Sequence, residues 1–259
     1  MSWAHPEFGN LIASCSDDKN IKIWEEKESV TTAPSKWENR AKLTESKKSV
    51  HDVKFAPRHL GLQLASASAD GYIRIYEATD VFSLNYWQVQ ESFQINSKSN
   101  DSVDHELTCI SWNECPVEPA KLAIGTSKYA TIWGVGSNGK WREEDILHEG
   151  PDKAVCDIAW APVMGRSFHQ IALAYRDKYV KIYKLKRLED GSIKSEEPAS
   201  VMDCGTNVWR IAWNATGTVL ATCGDDGKLK LWRKNFAGTF ECIQEMEFGD
   251  ESLRTHYAM

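Results

Sequence analysis

Four aspartates stand at matching places in this sequence, Asp18, Asp70, Asp177 and Asp226, each six residues before an aromatic: Trp24, Tyr76, Tyr183 and Trp232. A carboxylate can move a proton or help hold a cation, but only where several groups converge on one point. One per repeating unit does not converge. The glycine pattern Gly134-Val135-Gly136-Ser137-Asn138-Gly139 has the spacing of a dinucleotide loop. That loop needs a following helix whose N-terminus faces the pyrophosphate. Here Lys140-Trp141-Arg142-Glu143 leads into a strand pattern, so the segment reads as a hairpin turn. Gly165-Arg166-Ser167-Phe168-His169 places a serine near a histidine but lacks the second glycine of a nucleophile elbow. His5, His51, His59, His105, His148, His169 and His256 include no H-x-x-x-H pair and no ligand cluster with cysteine. The cations Lys178, Lys181 and Lys184, and Lys228, Lys230, Arg233 and Lys234, could form a phosphate patch, but their alternation places them on a solvated strand face. No catalytic, cofactor-binding or metal-binding residue is expected, and the chain reads as a non-enzyme.

Composition narrows the classes further. The 259 residues are 42% hydrophobic and 26% charged, near globular averages. The net charge of −6 does not supply the positive field of a nucleic-acid-coating protein. No apolar run approaches the roughly 18 residues of a membrane-spanning helix, and the first ten residues carry no secretory pattern. Seven cysteines at irregular spacing, without a C-x-x-C pair, suit neither a disulfide framework nor a zinc ribbon and point to a reducing compartment. Without a secretory signal, the sequons at Asn100 and Asn214 are read as chance.

The elements that carry these residues repeat. A short strand ending in an aromatic recurs at 50–55, 107–112, 155–160 and 208–213, and Ser2-Trp3-Ala4 matches the end of the same unit. Each is followed by a second strand, at 11–15, 64–68, 122–126, 171–175 and 219–223. A third closes on Trp24, Tyr76, Trp133, Tyr183 or Trp232. From first anchor to closing aromatic the steps are 21, 21, 21, 23 and 19 residues, and the closing aromatics are 52, 57, 50 and 49 apart. In the third unit Ser127 stands where the others have aspartate. The aspartate belongs to the tight turn between second and third strands, where its carboxylate can accept backbone N–H groups.

A repeat of this length with several short strands and an aromatic signature marks a β-propeller, because one four-stranded sheet cannot bury both faces alone. The expected fold is all-β with five visible blades, over repeat units 1–49, 50–106, 107–153, 154–206 and 207–248 and a tail 249–259, as one domain. Outer strands are expected from the segments between repeats, such as 86–93, 141–147 and 240–246, with 97–106 as a polar loop. The first unit is read as incomplete, without an upstream outer strand. An N-terminally truncated, open six-bladed propeller is the expectation.

At this point the units resemble WD repeats, with the closing Trp-Asp pair eroded to Trp24-Glu25, Tyr76-Glu77 and Trp232-Arg233. Residues 3–16, Trp3-Ala4-His5-Pro6-Glu7-Phe8 through Ser16, resemble the Sec/Seh family of scaffold propellers. The Seh-type nucleoporins are favoured by residues 68–78, by Gly165–His169, and by 208–221 continuing into Gly224-Asp225-Asp226-Gly227. The resemblance runs from Trp3 to about Cys242. It implies an open propeller completed in trans by a blade from an α-solenoid nucleoporin, within the Y-shaped scaffold of the nuclear pore. It also implies a second place in the GATOR/SEA complex that regulates TOR signalling, at the lysosomal or vacuolar surface. The family pattern carries another blade upstream of Trp3. The expected partners are thus the solenoid, other Y-complex nucleoporins and GATOR/SEA subunits. Two other readings are a propeller of the ER-export vesicle coat and a WD-repeat adaptor that binds peptides.

Overall fold

Alternation builds the strands, and burial follows it. Leu11, Ala13, Ile21 and Ile23 are buried while Ile12, Ser14 and Lys22 between them are partly exposed, as the period of two requires. The computed structural model describes residues 1–27, 35–80, 83–95, 107–136, 138–149, 154–188 and 191–247. The expected loop at 97–106 and the tail 249–259 lie outside the described residues. The fold is an all-β WD-repeat propeller whose five sheets are its blades. No helix among the described residues is long and apolar enough to cross a membrane.

The chain divides into two compact units, Met1–Asp152 and Lys153–Met259. In the first unit, one sheet is β1 (Ser2–Trp3), β2 (Leu11–Cys15), β3 (Ile21–Lys27) and β4 (Lys36–Leu43). The next is β5 (Val50–Phe55), β6 (Gln63–Ser68), β7 (Tyr72–Ala78) and β8 (Trp87–Gln94). The third is β9 (Leu107–Trp112), β10 (Lys121–Thr126), β11 (Tyr129–Val135) and β12 (Trp141–Glu149). In the second unit, β13 (Val155–Trp160), β14 (His169–Tyr175), β15 (Tyr179–Arg187) and β16 (Ile193–Asp203) form one sheet. The other is β17 (Val208–Trp213), β18 (Val219–Gly224), β19 (Lys228–Lys234) and β20 (Phe240–Glu247). Every sheet is an antiparallel meander in chain order, which needs only short connections.

The first sheet differs from the sequence reading in one respect. Its outer strand is β4, downstream of β3, and β1 pairs with β2 over two residues. β4 and β16 fall in the segments between repeats that are expected to supply outer strands, although their mixed-charge residues carry no clear alternation to mark their bounds.

In four of the five blades an aromatic pair joins the first strand to the last. Trp3 meets Trp37, Phe55 meets Trp87, Trp112 meets Trp141 and Trp213 meets Phe240, with ring centroids 5.7, 6.3, 6.0 and 6.1 Å apart. These tilted and edge-on contacts suit the ring quadrupole and add to the burial of large apolar surface. This accounts for much of the tryptophan content.

A second regularity concerns register. The pairing of the first strand slips by one residue at His51, Thr108, Cys156 and Trp209. Each is a β-bulge, which re-aims the side chains on either side of it. The carboxylates of Asp52 and Asp157, directly after their bulges, are 2% and 3% exposed.

Candidate functional site

The four turn aspartates occupy equivalent places. Asp18 Oδ1 accepts the backbone N–H of Asn20 at 3.0 Å, Asp70 that of Tyr72 at 3.1 Å, Asp177 that of Tyr179 at 3.4 Å and Asp226 that of Lys228 at 3.2 Å. This is the Asx-turn geometry that lets a short side chain mimic a backbone turn. The residue after each aspartate has positive φ: Lys19, Gly71, Lys178 and Gly227 at 70°, 80°, 68° and 64°. Each aspartate belongs to the turn of a different sheet, and among the described residues no three histidine, cysteine, aspartate or glutamate side chains are grouped to hold a metal ion.

Two of the turns carry an ion pair four residues long. Arg74 forks onto Asp70 at 2.7 and 3.2 Å, with both side chains buried, and Lys230 reaches Asp226 at 2.7 Å. Burial pushes the Asp70 carboxyl upward, but Arg74 and the N–H groups of Lys47 and Tyr72 outweigh it and hold the group below the usual carboxylate range. Asp226 is lowered in the same way, burial opposing and Lys230 prevailing.

The closing aromatics are anchored by polar tips. Trp24 Nε1 donates to Ser14 Oγ at 3.0 Å, Trp232 Nε1 to Thr222 Oγ1 at 2.9 Å, and Trp133 Nε1 to Thr131 Oγ1 at 3.1 Å. Tyr76 is fully buried, and its phenol is pushed up to about 12, first by burial and then by the Glu45 charge. Tyr183 is raised by burial as well.

The motifs with catalytic spacing hold structure together. Gly136 N–H donates to Lys140 O and Gly139 N–H to Gly136 O, both at 2.9 Å, in the hairpin between β11 and β12. A Cβ on Gly134 would overlap the Glu144 carboxylate, which pairs with Lys121 at 2.6 and 2.8 Å across β11. Lys121 and Glu144 are 1% and 3% exposed, so this glycine clears the path of a buried ion pair. In the Gly165–His169 block, Arg166 donates to the carbonyl of Gly217 at 3.0 Å, while Trp160 Nε1 donates to Nδ1 of the buried His169 at 3.4 Å. Arg166 thereby ties the loop after β13 to the loop after β17.

The repeated lysines are engaged with neighbours. Lys178 pairs with Asp203 at 3.0 Å and Lys228 with Glu247 at 2.9 Å, while Lys181 and Lys184 lie over the rings of Tyr175 and Phe168. A patch aimed at phosphate would leave such cations facing one ligand. This one disperses them.

What this arrangement presents to a partner is rigid blades and broad strand surfaces. The family model described as "WD domain, G-beta repeat" matches residues 1–25, 37–77 and 197–233, over parts of the first, second, fourth and last sheets. Nucleoporin SEH1 of Homo sapiens is 39% identical over 264 residues, covering 93% of this chain and 70% of its own length. The chain belongs to the SEH1 nucleoporin family. Nucleoporin SEH1-B of Xenopus laevis is 39% identical over 265 residues, covering 94% and 71%. Nucleoporin SEH1 of Danio rerio is 37% identical over 271 residues, covering 93% and 70%.

Sequence reasoning passed over a second set of carboxylates, which lie inside the first strands of two blades. Asp52 Oδ1 accepts the N–H of Val53 and its Oδ2 that of Ile110, at 2.9 and 3.1 Å. Asp157 does the same with Ile158 and Ile211, at 3.0 and 2.9 Å. Beside each, the next blade's tryptophan donates to a backbone carbonyl: Trp112 to Lys54 O at 3.0 Å and Trp213 to Ala159 O at 3.1 Å. The signal available in sequence was an aspartate inside an apolar strand, since a buried carboxylate must find donors.

Proposed function

We propose that this SEH1-family chain is a non-enzymatic scaffold subunit of the nuclear pore complex, placed in the Y-shaped subcomplex at the nuclear envelope. The observation that carries the reading is 37–39% identity to SEH1 nucleoporins over 93–94% of the chain. The blades support it physically. Meander sheets locked by buried carboxylates and aromatic pairs form a stiff body, and stiffness is what a scaffold subunit contributes. An α-solenoid nucleoporin donates a further blade in trans, adding strands through main-chain hydrogen bonds that fix both register and orientation. Other Y-complex nucleoporins, and GATOR/SEA subunits at the lysosomal or vacuolar surface, complete the set of partners. The repeat units act together as a single propeller domain.

Imaging of the tagged full chain in its own cells tests this reading. A punctate nuclear rim that exchanges slowly after photobleaching is the expected result. A signal confined to ER exit sites would transfer the chain to the vesicle coat and contradict the proposal.

A further inference from the structure

In the second unit, a groove of about 470 Å³ is lined by Asp177, Lys178, Gly205, Thr206, Asn207 and Asp225. Its walls are the turn after β14, the connection from β16 to β17, and the turn after β18. The charges along it are unequal in their engagements. Lys178 is spent on Asp203 at 3.0 Å. Asp225 instead accepts two neutral donors, the amide of Asn207 at 2.8 Å and the indole N–H of Trp209. No cation among the described residues lies within ion-pair distance of Asp225, although its carboxylate is exposed and held in a fixed direction.

Trp209 is the bulged residue of β17, between the buried Val208 and Ile211, and its ring turns outward, 41% exposed. The corresponding bulges hold His51, Thr108 and Cys156, so an indole tied to a carboxylate occurs here and not at those places. The guanidinium of Arg176 already lies 5.4 Å over the Trp209 ring. The chain thus carries its own instance of an arginine stacked on this platform. A planar guanidinium suits such a place, because it can stack on an aromatic face while forking onto a carboxylate, which an ammonium cannot do.

We infer that this groove is a docking site for an arginine side chain on an extended segment of a partner protein, with Asp225 as the counter-charge and Trp209 as the flanking ring. Asn207 is a positioning residue that fixes the Asp225 carboxylate. The site is separate from strand addition at a blade edge, so it stands or falls independently of the scaffold reading.

The test is an NMR titration of the full chain with acetyl-Gly-Gly-Arg-Gly-Gly-amide, beside the same peptide carrying lysine or citrulline. The arginine peptide should bind, with resonances of the groove residues shifting. Citrulline keeps the shape and loses the charge, and should bind about tenfold more weakly. Asp225→Asn should cost a similar factor and Asn207→Ala a smaller one. Trp209→Phe, which keeps a ring but removes the donor to Asp225, guards against the case in which Asp225→Asn does not fold. Raised salt should weaken the arginine peptide more than the citrulline one. Absence of binding, equal binding of the citrulline or lysine peptide, or full binding by Asp225→Asn would each overturn the assignment.

Discussion

The carboxylate of Asp52 accepts the backbone N–H of Ile110, 58 residues later, at 3.1 Å. One strand of a blade is thereby fixed to the first strand of the next, with a side chain doing the work that a ladder hydrogen bond does within a sheet. Asp157 and Ile211 repeat the bond in the second unit at 2.9 Å, where Arg210 also approaches Asp157 at 3.6 Å. Removal of either carboxylate leaves buried N–H groups without acceptors, which costs roughly 1–3 kcal/mol for each group. Asp52→Ala should therefore lower the unfolding free energy by about 3 kcal/mol, read as a lower urea midpoint. Asp52→Asn keeps one acceptor oxygen and should lose less.

The Lys121–Glu144 pair gives a prediction in which two changes are milder than one. Lys121→Met alone strands a buried carboxylate and should cost about 3–5 kcal/mol. The double change Lys121→Met with Glu144→Leu removes both charges and should recover most of that loss. Gly134→Ala should be destabilising in the parent chain, since the new methyl meets the Glu144 carboxylate. Chemical denaturation of the three variants beside the parent chain checks all three statements.

Acid stability should depend on Asp70. Its carboxyl titrates below the ordinary value in the folded chain, so its contribution is present above the unfolded value near 3.8 and is lost as pH falls through the folded value. Asp70→Asn should lower stability at neutral pH, because Arg74 stays buried without its partner, and should flatten the acid limb of the stability curve. Thermal midpoints from pH 7 down to about 2 would display the difference.

At the alkaline end the relevant group is Tyr76. Its phenol is pushed up to about 12 in the folded chain against 10.0 for the ordinary group, so the fold favours the neutral form. That contribution is complete below pH 10 and is lost as pH rises toward 12. Tyr76→Phe should show a shallower decline in thermal midpoint than the parent over this window.

Lys19 holds a left-handed conformation at φ 70° where two of the three equivalent turns use glycine, Gly71 and Gly227. It is exposed, so relief of the backbone is the main effect of replacing it. Lys19→Gly should raise stability by about 1 kcal/mol, read as a small increase in the urea midpoint.

Much of the fold was legible because inner strands such as β2 bury one face and alternate, while others such as β10 and β14 are buried throughout and run largely apolar. The expected strands at 50–55, 107–112, 155–160 and 208–213 coincide with β5, β9, β13 and β17. The bounds of the outer strands β4 and β16 were less legible, because exposed edges place few demands on side-chain type. The bulges at His51, Thr108, Cys156 and Trp209 were hidden for another reason. A bulge is a property of pairing between two strands, and the letters of one strand do not encode it. With the bulges went the inter-blade bonds of Asp52 and Asp157 and the outward turn of Trp209.

The most direct test of the central claim is affinity purification of the full chain from its own cells, with the bound proteins identified by mass spectrometry. Stoichiometric recovery of an α-solenoid nucleoporin with other Y-complex subunits is the predicted result. Recovery of vesicle-coat subunits without nucleoporins, or of no stable partner at all, would contradict a scaffold role at the pore.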